Sequence, residues 1–212
     1  MRVRTAISLL LVALAALFAC DDEFSTGPHD PAGPDSSQYA VIQTTMGDIT
    51  IELLPRDAPL TVVNFHRYAT EHFYDGLIFH RVIQNFVIQA GAYDASLVLR
   101  EPTHPPIPNE AGNGLSNLRG TVGMVRTFDP QTAQAQFFIN HKDNFFLDHR
   151  DNTVERYGYA VFGRVVKGMD VVDAIAAVPT GAEGGLNDTP LTPVVMTRVI
   201  VHRALFEPHG SR

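Results

Sequence analysis

From Tyr39 onward, apolar and polar positions alternate in short runs separated by turn formers. Tyr39-Ala40-Val41-Ile42-Gln43-Thr44 and Ile49-Thr50-Ile51-Glu52-Leu53-Leu54 predict paired strands around a Met46-Gly47-Asp48 turn. Asp57, a capping residue type, and Pro59, suited to a first helical turn, predict a helix reaching about His72. Its apolar positions Val62, Val63, Phe65, Tyr68 and Ala69 are expected on one face. A hairpin follows, with strands over 77–83 and 86–90 and a tight Gln84-Asn85 turn.

Residues 92–119 carry many turn formers and predict a long surface loop, the kind that often rims a site. Further strands are predicted over 120–125, 136–140, 159–166 and 194–205. Between them, Asn144-Phe145-Phe146-Leu147-Asp148 predicts a short helical turn with exposed aromatics. Gly168 to Val178 predicts a second amphipathic helix through Met169, Val172, Ile175 and Ala176. About eight strands in hairpin succession with two helices predict a mainly β domain, an antiparallel barrel capped at its ends; the pattern alone leaves a sandwich open.

The first 38 residues follow another pattern. Arg2 and Arg4 precede an apolar run from Ala6 to Ala19, too short for a stable membrane span of about 20 residues and fitting an export signal over 1–19. The chain's one cysteine, Cys20, ends that run, so no internal disulfide can form. Leu17-Phe18-Ala19-Cys20 resembles the lipobox of bacterial lipoproteins, which implies acylation at Cys20. The resemblance places the domain on a bacterial membrane, facing the periplasm or the cell exterior. The alternative is cleavage after Ala13-Leu14-Ala15, leaving a free thiol. Residues 20–38, rich in Pro, Gly, Ser and Asp, are expected to form a disordered linker, 39–206 the folded domain and 207–212 a flexible tail.

The formal charge of −7 provides no basic stripe for phosphates, which excludes a nucleic-acid partner. The nine histidines show no zinc-like spacing: His66 and His72 do not share a helix face, and His141 and His149 have no neighbouring Cys or paired carboxylates. No Gly-x-Ser-x-Gly elbow and no phosphate-cradling glycine loop occurs, so no metal and no cofactor is expected. What remains is aromatic surface, carboxamides and one guanidinium, Arg81, set in an apolar hairpin where an unpaired charge is costly. Arg81 fits either a structural ion pair or a catalytic donor. The inventory suits a reaction that breaks no covalent bond, such as rotation about an X–Pro bond, whose barrier is roughly 20 kcal/mol.

Phe79-His80-Arg81-Val82-Ile83 with Phe86-Val87-Ile88-Gln89 resembles the signature of cyclophilin-type peptidyl-prolyl isomerases. Gln136-Phe137-Phe138-Ile139, Phe146-Leu147-Asp148 and Tyr159-Ala160-Val161-Phe162-Gly163 match the same family in order. The likeness covers about residues 39–203 and is closest to the branch found in bacterial periplasms. It implies a closed eight-stranded antiparallel barrel capped by two α-helices, and a monomer acting on proline-containing unfolded or partly folded polypeptides.

By the same resemblance Arg81 is the donor to the prolyl nitrogen. Phe86, Val87, Phe138 and Leu147 form the proline pocket, and Gln89 and Gln136 bind the substrate backbone. Phe146 stands where many members have Trp, and Tyr159 where they often have His. Val125 and Arg126 replace an Ala-Asn pair whose backbone grips the peptide, and the larger Val125 is expected to narrow the pocket. A non-catalytic proline-peptide chaperone using the same groove, or a solute-binding lipoprotein, are the competing functions.

Overall fold

The computed structural model describes residues 38–203. The expected signal segment, Cys20, the linker up to residue 37 and the tail lie outside the described residues. The elements are β1 (Gln38–Thr44), β2 (Gly47–Leu53), α1 (Pro59–Thr70), β3 (Leu77–Val82), β4 (Val87–Asp94), β5 (Thr121–Met124), β6 (Phe137–Asn140), β7 (Val161–Lys167), α2 (Met169–Ala176), β8 (Thr180–Glu183), β9 (Leu186–Pro190) and β10 (Met196–Arg203).

Eight strands form one antiparallel sheet in the order β10-β1-β2-β7-β5-β6-β4-β3. The sheet curls until its ends meet: Ile78 on β3 bridges Val195, and the Phe79 and Gly76 amides donate to the Val194 and Met196 carbonyls at 3.0 and 2.9 Å. The fold is thus the expected barrel rather than a sandwich, and closure leaves few sheet edges open.

The interior is filled by alternate residues of the strands, among them Ile42, Ile49, Ile51, Phe79, Ile88, Phe137 and Phe162, all fully buried. Phe65 of α1 packs against the rings of Tyr74, Phe137 and Phe162 at 5.3–5.5 Å between centroids. Each such side chain contributes about 1.5–3 kcal/mol by leaving water. Val63, expected on the same face, is 58% exposed, because it lies about 100° around the helix from Val62.

Pro59 stands in the first turn of α1, but Asp57 does not cap it. Ala58 is the N-cap and offers no side-chain bond. The cap comes from far along the chain: the Glu110 carboxylate accepts from the Leu60 and Thr61 amides at 3.1 and 2.8 Å and from the Thr61 hydroxyl at 2.7 Å. That places an anion on the positive end of the helix. The helix ends at Thr70, two residues short of the expected His72: Glu71 is the C-cap, and His72 follows with a φ of 57° that leaves the α path.

The predicted 92–119 loop begins after Asp94 and is tied down by bridges between Tyr93 and Leu99 and between Ile107 and Ala133, with a 3-10 turn at Ala111–Asn113. The β8–β9 hairpin was not expected from sequence. It turns at Gly184-Gly185, both in the left-handed region. No helix among the described residues is long and apolar enough to cross a membrane.

Candidate functional site

The site lies on the outer face of β3, β4 and β6. Phe137 and Ile88 point into the core, so strand alternation turns Phe138, Val87 and Gln89 outward. On β3 the alternation is interrupted. Phe79 pairs with Ala90 and Arg81 with Gln89, so two steps along β3 match one along β4. This bulge at His80 lets Phe79 and Val82 both pack inside while Arg81 faces out. The register then aligns Arg81, Gln89 and Phe138 in a row across three strands.

Nine of the eleven residues singled out from the sequence line one groove of about 280 Å³: Arg81, Phe86, Val87, Gln89, Val125, Arg126, Phe138, Leu147 and Tyr159. The volume stands at the lower end for small-molecule pockets, a size for one side chain rather than a large ligand. The other two flank it. Gln136 accepts from Gln89 Nε2 at 2.9 Å, and Phe146, 62% exposed, stacks on Phe86 at 5.6 Å.

The two walls are built differently. On one side the Arg81 guanidinium stands 5.7 Å from the Phe86 ring centroid and 3.9 Å, through Nε, from an Asp188 oxygen. On the other, Phe138 meets Tyr159 edge-on at 5.8 Å, and Arg126 lies over the Tyr159 ring at 4.7 Å. Arg126 also donates to the carbonyls of Thr127 (3.0 Å), Phe128 (2.9 Å), Gly158 (3.3 Å) and Val154 (3.3 Å). Its guanidinium is committed to holding this wall. The Arg81 guanidinium, by contrast, makes no hydrogen bond among the described residues, since 3.9 Å is beyond hydrogen-bond range.

The rim at Phe86 and Leu147 rests on buried carboxamides that sequence reasoning missed. Asn144 Nδ2 donates to the Phe86 carbonyl at 3.0 Å and to Asn140 Oδ1 at 2.8 Å, and Asn140 donates in turn to Asn117 at 3.2 Å. The Asp148 carboxylate accepts from the Asn117 amide at 2.7 Å and from the Ser116 hydroxyl. Leu147 is gripped from both sides, donating to the Asn144 carbonyl at 2.8 Å and accepting from the Tyr159 amide at 3.0 Å. An Asn directly after the apolar run Phe137-Phe138-Ile139 is the signal that could have revealed the network.

His80 is a second omission. It is buried, its Nε2 lies 3.4 Å from Gln89 Nε2, and its ring meets Tyr93 edge-on at 5.0 Å. Burial, with the Arg81 charge as a lesser cause, pushes its pKa down to about 4, so the ring is neutral at pH 7. A lone pair on Nε2 accepts from Gln89, so both amide hydrogens of Gln89 are engaged, one by His80 and one by Gln136. The Gln89 oxygen accepts no hydrogen bond among the described residues.

The family profile described as cyclophilin type peptidyl-prolyl cis-trans isomerase/CLD matches residues 39–201. The peptidyl-prolyl cis-trans isomerase cyp18 of Streptomyces antibioticus is 52% identical over 155 residues, covering 73% of this chain and 93% of that protein. Peptidyl-prolyl cis-trans isomerase B of Escherichia coli K12 is 48% identical over 158 residues, covering 74% and 96%. Among solved structures, a Cryptosporidium parvum cyclophilin type isomerase superposes with a TM-score of 0.64 at 22% identity, over 80% of this chain and 99% of that one, a likeness of fold. The match spans the barrel, and the bacterial relatives are covered nearly end to end. The chain belongs to the cyclophilin-type peptidyl-prolyl cis-trans isomerases, enzymes that act on proline-containing polypeptides.

Proposed function

We propose that the chain accelerates X–Pro rotation by donating a hydrogen bond from Arg81 to the prolyl nitrogen while Phe86, Val87, Phe138 and Leu147 hold the ring. As the amide twists it loses resonance, and its nitrogen gains a localised lone pair. A cationic donor at that nitrogen stabilises the twisted state more than the planar one, which is the condition for catalysis. Such a bond contributes about 1.5–3 kcal/mol, or roughly one to two decades in rate. The observation that carries this reading is a guanidinium at the groove edge, beside an aromatic wall, whose N–H groups have no hydrogen-bond acceptor among the described residues. Gln89 and Gln136, locked together, suit a grip on the substrate backbone.

The test is two-dimensional NMR exchange on a proline tetrapeptide with purified protein. Arg81→Ala is expected to lose about one to two decades in exchange rate. Equal rates in the two proteins would end the assignment.

In the same proposal the enzyme works as an exported monomer, tethered through an acylated Cys20 to a bacterial membrane and facing the periplasm or the exterior. The apolar run before Cys20 and the turn-forming linker after it support that setting. Its clients are then exported chains still reaching their native proline isomers, a slow step of tens of seconds or more without catalysis.

A further inference from the structure

We infer that Asp188 is a positioning residue for Arg81, an inference that rests on the proposal that Arg81 is the donor. Asp188 belongs to β9, in the hairpin that follows α2 and shares no strand with the groove. Its neighbour Thr189 is buried, and the Thr189 hydroxyl donates to the His80 carbonyl at 3.0 Å. That carbonyl belongs to the bulged residue of β3, where a ladder partner is disrupted. The bond therefore stitches residue 189 to residue 80, and the side chains one residue along on each strand, Asp188 and Arg81, come face to face. Nε and Oδ2 stand 3.9 Å apart.

Three features make this more than a chance surface pair. Asp188 has a φ of 57°, a left-handed conformation that few side chains adopt but that Asp and Asn tolerate. Its carboxylate accepts no hydrogen bond among the described residues, so Arg81 is the one cation recorded beside it there. The contact is also to Nε and too long for a hydrogen bond, so it holds the guanidinium by charge while leaving the N–H hydrogens for a substrate. With the Phe86 ring centroid 5.7 Å away as well, the guanidinium is restrained by a carboxylate and an aromatic ring together.

A carboxylate this near also weakens the field that Arg81 projects. Both side chains are well exposed, at 38% and 44%, so water screens that longer-range effect while the confinement persists. Confinement wins, and Asp188 speeds the reaction.

Asp188→Asn is the clean test, because Asn keeps the shape and accepts the left-handed backbone. The exchange rate on saturating proline tetrapeptide is expected to fall about three- to five-fold, the worth of one exposed pair. The peptide Kd from shift titration and the melting temperature should stay as they are. The Arg81 Nε–Hε order parameter should fall in the variant, a change that a purely structural role for Asp188 would not produce. In the Arg81→Ala background, adding Asp188→Asn should leave the remaining rate unchanged. An Asp188→Asn protein that is as fast as the parent or faster, or an unmoved Nε–Hε order parameter, overturns the inference. So does an equal rate loss in the Arg81→Ala background. A fully active Arg81→Ala protein would overturn the donor assignment itself, a separate arm of the same experiment.

Discussion

His80 should make the enzyme's stability fall with acid in a defined window. Its pKa is lowered from 6.5 to about 4 because burial penalises the imidazolium. Between those values the unfolded chain binds a proton that the folded one refuses, so stability rises with pH there. The contribution is complete above about pH 6.5 and is lost as pH falls toward 4. At about 1.4 kcal/mol per pKa unit, the total is about 3 kcal/mol. Replacing His80 with Gln removes the titrating group and keeps a neutral polar side chain beside Gln89. Urea unfolding of both proteins from pH 7.5 to pH 4 isolates the effect, since every other group titrates in both. The stability of the parent relative to His80→Gln should drop by about 3 kcal/mol across the series, at roughly 1 kcal/mol per pH unit in the middle. Isomerase activity should fall over the lower part of the same window, because a protonated Nε2 can no longer accept from Gln89. Parallel stability curves would refute the reasoning.

Two further outcomes are expected. Glu110→Ala removes the cap of α1 and should cost about 1–2 kcal/mol, lowering the melting temperature by about 2–8 °C, while the exchange rate stays near that of the parent because Glu110 does not line the groove. Cys20→Ser should abolish labelling by an alkyne fatty acid in bacterial cells and shift the protein from the membrane to the soluble fraction. Unchanged labelling would remove the anchor from the proposed function.

The strands around the groove were legible because each repeats a local rule. Phe79-Ile83 and Phe86-Gln89 are apolar runs flanking a Gln84-Asn85 turn, and Asn85 takes the left-handed backbone that a tight turn requires. What escaped was non-local or polar. Asp57 has the chemistry of a cap, yet a carboxylate 49 to 50 residues from the amides it holds does the capping, and nothing near Glu110 in sequence announces it. Thr180–Glu183 and Leu186–Pro190 lack an apolar face, so period-two reading passes over them. Their Gly184-Gly185 dipeptide was the available hairpin signal. Asp188 went unnoticed with them. The bulge at His80 was invisible for a different reason: a run that is apolar on both sides does not reveal where alternation slips.

The seam of the barrel also sets a timetable. β1 finds its second partner in β10, with Gln38 opposite Arg203, and the strand carrying Arg81 closes only against residues 194–196. A chain made from its N-terminus can form the groove hairpin and the β5–β6 pairing early. Until residues 194–203 are delivered, however, β1 and β3 both present open edges, able to pair with other chains. Thr189 and Asp188, which pin the bulge and face the guanidinium, arrive almost as late. Competence thus comes to this barrel only with its closing strand, and a truncation of that strand is expected to yield a sticky precursor rather than a weakened enzyme.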